Sequence, residues 1–281
     1  MRPLHAVVVG IDGSRTAVDA ALWAIREALS RDVPLLLLYA VGPAGTADDH
    51  HDASRALAAA EAAVRQRFTG ESSEGPVKIE QEVVRDNPVR ALIAASHTAA
   101  MVCVGTIGLK HASRGRIGST AAGLVKAAHC PVAVVRASAP QRDRRVVVEV
   151  DGRPSSAAVL QTGVDEALLR GAPLCVLATW QNRNREMYDA SAVADRNRLA
   201  QAQLDRRLSR WRRQHPGLEV ETITGHRSIL EYLAAHRESV QLAVVGAERA
   251  GGTGELAGPP GIAVLAGSDC SLLTCHRQQR L

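Results

Sequence analysis

Two kinds of apolar pattern alternate along the chain. Residues 7–11 and 35–41 are short continuous apolar runs bounded by turn residues, the pattern of a strand buried on both faces. Residues 78–84, 99–105 and 132–136 read as three further strands, the last just after Cys130-Pro131. Between them the period changes. Residues 16–30 place Ala17, Ala20, Ala21, Ala24, Ile25 and Ala28 at helical spacing, and 53–68 is an alanine-rich helix. Residues 88–96 begin with Pro88, suited to the first helical position, and 119–128 forms a fourth helix. Buried strands alternating with helices predict a parallel sheet covered on both faces. Right-handed crossovers then make it open and doubly wound.

The pattern occurs twice. Val7-Val8-Val9-Gly10-Ile11-Asp12-Gly13-Ser14 returns 139 residues later as Val146-Val147-Val148-Glu149-Val150-Asp151-Gly152-Arg153. Pro34 to Ala40 returns as Pro173 to Thr179 at the same offset, and Met101-Val102-Cys103-Val104-Gly105 as Leu242-Ala243-Val244-Val245-Gly246 at 141. Ala128-His129-Cys130 pairs with Ser268-Asp269-Cys270. Matches in constant order at near-constant offset indicate duplication. The expected domains are 1–140 and 141–281, joined by the polar segment 137–145.

Composition narrows the class. With 281 residues, 46% hydrophobic and 22% charged, the chain is neither disordered nor a disulfide scaffold. Aromatics are few, so Val, Leu, Ile and Ala build the cores. No apolar stretch reaches the roughly 18 residues of a membrane span, and no signal-peptide cleavage site is apparent. The expectation is a cytoplasmic protein with no membrane partner. Five cysteines without CxxC spacing read as reduced, mostly buried thiols, not a zinc site. The net charge of +5 divides into +2 and +3 between the halves and does not by itself indicate nucleic acid.

Ligands bind such sheets at the C-terminal strand ends. There, Gly105-Thr106-Ile107-Gly108 leads through Lys110, His111, Arg114 and Arg116 to Gly118-Ser119-Thr120. Gly105 and Gly108 let backbone approach a phosphate. Gly118, Ser119 and Thr120 open a helix whose free N–H groups favour an anion. The basic residues add positive charge. A dinucleotide-binding reading fits poorly, because Gly10-Ile11-Asp12-Gly13-Ser14 lacks the third glycine and no acidic residue closes a second strand.

The spacing of Gly105, Gly108, Gly118 and Ser119 resembles, without a gap, the G-2x-G-9x-G-[ST] nucleotide motif of the universal stress protein family. Val9 to Ser14 looks like that family's first strand with its acidic residue, and His129 to Val135 like its closing segment. The whole is similar to the tandem-domain members common in actinobacteria. The resemblance implies two tandem Rossmann-like α/β domains, of the adenine nucleotide alpha hydrolase-like type, each an open five-stranded parallel sheet with helices on both faces. It also implies ATP binding. Gly10, Asp12, Gly13 and Ser14 would lie at the first loop, with Asp12 by the ribose or a bound magnesium ion. Val41 would meet the adenine through its backbone and Val104 would flank the base. Gly105, Thr106, Gly108, Gly118, Ser119 and Thr120 would hold the phosphates. Pairing between domains is expected through the last strands, 132–136 and 272–276, with a homodimer or another protein partner also open.

The second copy departs from the motif. Arg249 stands for the second glycine, Pro259 for Ser119 and Arg153 for Ser14. Proline has neither N–H nor hydroxyl, so no equivalent ATP site is expected there. Asp151 is read as a cap of its helix.

Other features weigh less. Arg206, Arg207, Arg210, Arg212 and Arg213 beside Trp211 are read as the solvated face of a helix whose apolar stripe is Leu199, Leu204, Leu208 and Trp211, which argues against nucleic acid. His50-His51-Asp52 is placed in a polar loop over 42–52. Trp23, Tyr39, Trp180 and Tyr232 are read as core or interface residues. No Walker lysine or base for an attacking water is visible, so no catalytic residue is assigned. The expected role is ATP-binding and regulatory; the alternatives are a nucleotide-independent interaction module and a slow ATPase.

Overall fold

The computed structural model describes residues 5–68, 78–106, 118–136, 143–151, 153, 155–179, 190–225, 228–248, 256, 261, 264–265 and 268–276. The first repeat runs β1 (Val7–Ile11), α1 (Arg15–Ser30), β2 (Leu35–Val41), α2 (Ala47–Phe68), β3 (Ile79–Arg85), α3 (Pro88–Ser96), β4 (Met101–Gly105), α4 (Ser119–Ala127) and β5 (Val132–Val135). The second runs β6 (Arg145–Val150), α5 (Ser156–Arg170), β7 (Leu174–Thr179), α6 (Ala190–Gln214), β8 (Val220–Gly225), α7 (Ile229–Ala235), β9 (Val240–Gly246) and β10 (Ser271–Cys275). The expected linker over 137–145 lies outside the described residues up to 142, and its last residue already begins β6.

The expected five-stranded parallel sheets form, and they join edge to edge. One ten-stranded sheet has the order β3-β2-β1-β4-β5-β10-β9-β6-β7-β8. Strands within each half are parallel; β5 and β10 meet antiparallel, with Ala133 opposite Leu273. The Ser271 hydroxyl accepts from the Arg136 N–H at 3.1 Å, and the Thr274 hydroxyl donates to the Val132 carbonyl at 3.3 Å. The halves are therefore related by an approximate two-fold axis between these strands.

Alternation along each strand divides the core into two layers. Val7, Val9 and Ile11 pack with α1, α2, α5 and α6 on one face, whereas Val8 packs with α3, α4 and α7 on the other. Among the described residues no helix is long and apolar enough to cross a membrane.

One boundary differs. Helix α2 starts at Ala47, so His50, His51 and Asp52 lie in its first turns instead of a loop. The Thr46 hydroxyl and Asp49 carboxylate form a reciprocal cap: Asp49 Oδ2 accepts from Thr46 N at 2.7 Å, and the Asp49 N–H faces the Thr46 hydroxyl at 3.4 Å. Asp48, also in the first turn, favours the helix dipole.

Beneath the β5–β10 seam, α1 and α5 gather four ionisable side chains, three of them buried and Arg31 half-buried. Glu27 and Arg31 form an i,i+4 pair on α1, and Glu166 and Arg170 form its counterpart on α5. The 139-residue offset relates them residue for residue. Arg170 Nη2 also reaches Glu27 Oε1 at 3.0 Å, and Arg31 Nη2 lies 3.6 Å from Glu166 Oε1. Arg170 stacks 4.7 Å over the Trp23 ring. Both carboxylates are fully buried, so each depends on guanidinium groups from both halves.

Arg170→Ala should therefore destabilise the chain by about 3–5 kcal/mol, because it leaves two buried carboxyl groups short of a partner; chemical denaturation measures this. Burial, and next the neighbouring Glu27, push the Glu166 carboxyl up to about 8, against the pull of Arg170 and Arg31. A carboxyl held above its unfolded value binds its proton more tightly in the fold. Its contribution is complete below that unfolded value and is lost as pH rises through about 8. Glu166→Gln should accordingly flatten the fall in melting temperature between about pH 5 and 8 relative to the native chain.

Candidate functional site

A cavity of about 330 Å³ opens in the first repeat at the C-terminal ends of β1, β2 and β4, between the starts of α1, α3 and α4. Its volume lies within the range of small-molecule sites. Gly10, Asp12 and Ser14 come from the end of β1 and the turn beyond it, Val104 and Gly105 from β4, and Gly118, Ser119 and Thr120 from the start of α4. These eight predicted residues converge on one space.

Each is there for a local reason. Asp12 Oδ1 accepts from the Ser14 N–H at 2.9 Å, closing the turn after β1, and Gly13 takes φ 82° to make it. Ser14 then caps α1 by accepting from the Ala17 N–H at 3.2 Å. Helix α4 begins differently. Its cap is Gly118, with no side-chain acceptor, and Ser119, Thr120 and Ala121 of its first turn line the cavity. First-turn N–H groups have no partner within their own helix, so this end offers hydrogen-bond donors and the positive end of the dipole.

Three predicted residues lie elsewhere. Gly13 shapes the turn without lining the cavity. Thr106 is buried; its N–H donates to the Val135 carbonyl at 3.1 Å and its carbonyl accepts from the Gly118 N–H at 2.8 Å, so it ties together the two ends of the glycine loop. Val41 is buried and outside the lining, because β1 ends at Ile11 opposite Tyr39 and Val41 runs two residues past that level. Gly108 lies outside the described residues, as do Lys110, His111, Arg114 and Arg116.

Other lining residues went unread in the sequence. Tyr39 and Ala40 stand where Val41 was expected, and Tyr39, packed against the core as expected, also forms part of the cavity wall. Burial, with the nearby Asp12, Asp52 and Asp49 carboxylates, raises the Tyr39 phenol above its usual value, so it stays neutral. Asn87 caps α3 by accepting from the Val89 N–H at 3.0 Å and reaches the cavity with Pro88, Val89 and Leu92. The Asn87-Pro88 helix start was the available signal.

Gly105 has a second duty. A Cβ there would lie 2.6–2.7 Å from the hydroxyl, carbonyl carbon and carbonyl oxygen of Thr16. The close approach that glycine permits is to the first turn of α1. Gly10 is different: its Cβ would meet side-chain ends, Leu92 Cδ1 at 2.9 Å and Val104 Cγ1 at 3.1 Å.

The corresponding place in the second repeat differs in the side chains that line it. Among the described residues it opens only about 10 Å³, room for one water. Glu149 and Thr179 replace Gly10 and Ala40, and the Thr179 hydroxyl faces Glu149 Oε1 at 3.4 Å. Arg153 sits 3.4 Å from Asp151 and donates to the Glu248 carbonyl, and the Ser156 hydroxyl donates to Asp151 Oδ1 at 2.7 Å. Asp151 thus serves its own chain. Arg249 and Pro259 lie outside the described residues.

A family model described as "Universal stress protein family" matches residues 3–136 and again 143–276. Two universal stress proteins of Mycobacterium tuberculosis strain H37Rv align along nearly the whole chain. One is 43% identical over 282 residues, covering 97% of this chain and 96% of the relative; the other is 37% identical over 278 residues, covering 98% and 97%. The crystal structure of a universal stress protein from Archaeoglobus fulgidus superposes over 98% of this chain and 97% of its own, with a TM-score of 0.66 at 15% identity. The chain belongs to the universal stress protein family, in a tandem, Rossmann-like form.

Gly105→Ala should lose about 1–3 kcal/mol or more, because the clash is with backbone, whereas Gly10→Ala should cost less, because side-chain ends can shift. Denaturation midpoints of the two variants decide this order.

Proposed function

We propose that the chain is a regulatory ATP-binding protein that holds one nucleotide, in the first repeat. One observation carries the reading: a nucleotide-sized cavity ends at a helix start without a side-chain cap, while among the described residues of its duplicate Glu149 and Thr179 stand where Gly10 and Ala40 leave room. The phosphates would lie against the first turn of α4, with the Ser119 and Thr120 hydroxyls as further donors. The base would lie toward Val104, Leu38 and Ala40. Asp12 would reach the ribose, or serve as the one protein carboxylate on a magnesium ion otherwise held by phosphate and water.

Binding without efficient turnover fits the same lining. Among its described residues the titratable side chains are Asp12 and Tyr39. Asp12 is engaged with its own turn, and the Tyr39 phenol stays protonated. Regulation has a short route, since α4 packs on β5, the strand that pairs with the second repeat. Five free thiols suit a cytoplasmic setting.

The test is to denature the purified chain and quantify released nucleotide. About one ATP per chain is the expected result. Gly10→Glu, which copies the second repeat, should abolish binding, and Ser119→Glu should weaken it at least about tenfold by placing a carboxylate against phosphate. Two nucleotides per chain, or unchanged affinity in both variants, would refute the reading.

A further inference from the structure

The charge of the chain is concentrated on one helix. Helix α6 carries seven arginines and two aspartates, a net of +5, equal to that of the entire chain. The remainder of the molecule is neutral overall. The matching helix of the first repeat, α2, carries three arginines and four carboxylates, so of this pair of helices only α6 is basic.

The helix is held from one side only. Leu204 and Leu208 are fully buried, Trp211 packs half-buried beside them, and Gln201 bonds to Thr222 of β8 at 2.8 Å. Leu199 does not belong to that stripe: it is 57% exposed, the largest exposure of a big apolar side chain among the described residues. It heads a second line. Leu199, Gln203, Arg206, Arg210 and Arg213 recur at steps of four and three, all are exposed, and together they run about 20 Å along the helix. Arg210 rests 5.6 Å over the Trp211 ring, and Arg206 Nε donates to the Ala202 carbonyl of its own helix. No carboxylate pairs with Arg206, Arg207, Arg210 or Arg213 among the described residues. Asp195 and Asp205 are engaged by Arg198 and Arg212.

We infer that this face of α6 is a docking surface for an acidic amphipathic helix of a partner protein, which lays carboxylates along Arg206, Arg210 and Arg213 and an apolar side chain on Leu199. An average step of 3.5 residues keeps a line of side chains facing a second helix laid alongside. Guanidinium groups bind carboxylates in bidentate fashion, and seven arginines with no lysine suit that geometry. Protein is favoured over nucleic acid because the line is one side chain wide and the rest of the chain is neutral. Leu199 at its head offers nothing to phosphate, and the helix's one aromatic ring faces the core.

The test uses the full chain and a labelled helical peptide of about 20 residues, with Leu at its head and Glu at steps of four and three. A second peptide has Gln for every Glu, and a DNA duplex is the third probe. Fluorescence anisotropy should show the Glu peptide bound and the Gln peptide and duplex bound at least about tenfold more weakly. The combined Arg206→Gln, Arg210→Gln and Arg213→Gln variant should lose about tenfold or more with an unchanged melting temperature. Leu199→Ser should lose affinity for both the Glu and Gln peptides. Equal binding by the triple variant, equal binding of the Gln peptide, or tighter binding of the duplex would overturn the inference. So would self-association of the native chain that the triple variant abolishes, which would make a second copy the occupant.

Discussion

The fold depends on four ionisable groups that neither half can satisfy alone. Glu27 and Glu166 are buried where an isolated carboxylate would have to give up its charge. Each has an arginine one turn along its own helix and a second across the seam. The backbone pairing of β5 with β10 sets the two halves at the distance where this works, and the network in turn penalises any slip of that pairing. Replacement of all four by apolar residues of similar volume is a different matter from removing one, because it leaves no buried charge unmatched. The network's value lies in its specificity for one arrangement of α1 against α5, more than in net stability.

Duplication gave two equivalent places at the strand ends, and a few side chains separate their fates. Gly10 and Ala40 leave room above β1; Glu149 and Thr179 occupy it. Ser14 caps its helix and leaves the turn open, whereas Arg153 reaches across to Asp151 and the Glu248 carbonyl. The second repeat thus keeps the scaffold while Glu149 and Thr179 take up the space that Gly10 and Ala40 leave. Its distinguishing chemistry lies instead on the outer face of α6.

Much of the fold was legible in the sequence because its signals are local. The Val and Leu runs of β1, β2 and β5 have one physical reading, and the repeat offset placed most of the others. The start of α2 was missed because polar Asp48 to Asp52 looks like loop until Thr46 and Asp49 are read as a reciprocal cap. Residue type alone places Leu199 in the buried stripe, although its angle about the helix points the other way. The cavity was legible where glycine spacing marks it, and illegible at Tyr39 and Asn87, whose roles follow from where β1 stops and α3 starts. The charge network left no trace, since Glu27 and Arg31 look like any surface i,i+4 pair until a helix 139 residues away is laid against them.

The antiparallel seam has a consequence for the life of the molecule in a crowded cell. Its two halves are tethered by one chain, so their pairing does not weaken on dilution, as that of separate subunits would. The strand edges that match best, β5 and β10, are already occupied by each other. A related protein at high concentration therefore finds no vacant edge at the seam through which to trade halves. Whatever this protein assembles into, it enters as an inseparable and unequal pair.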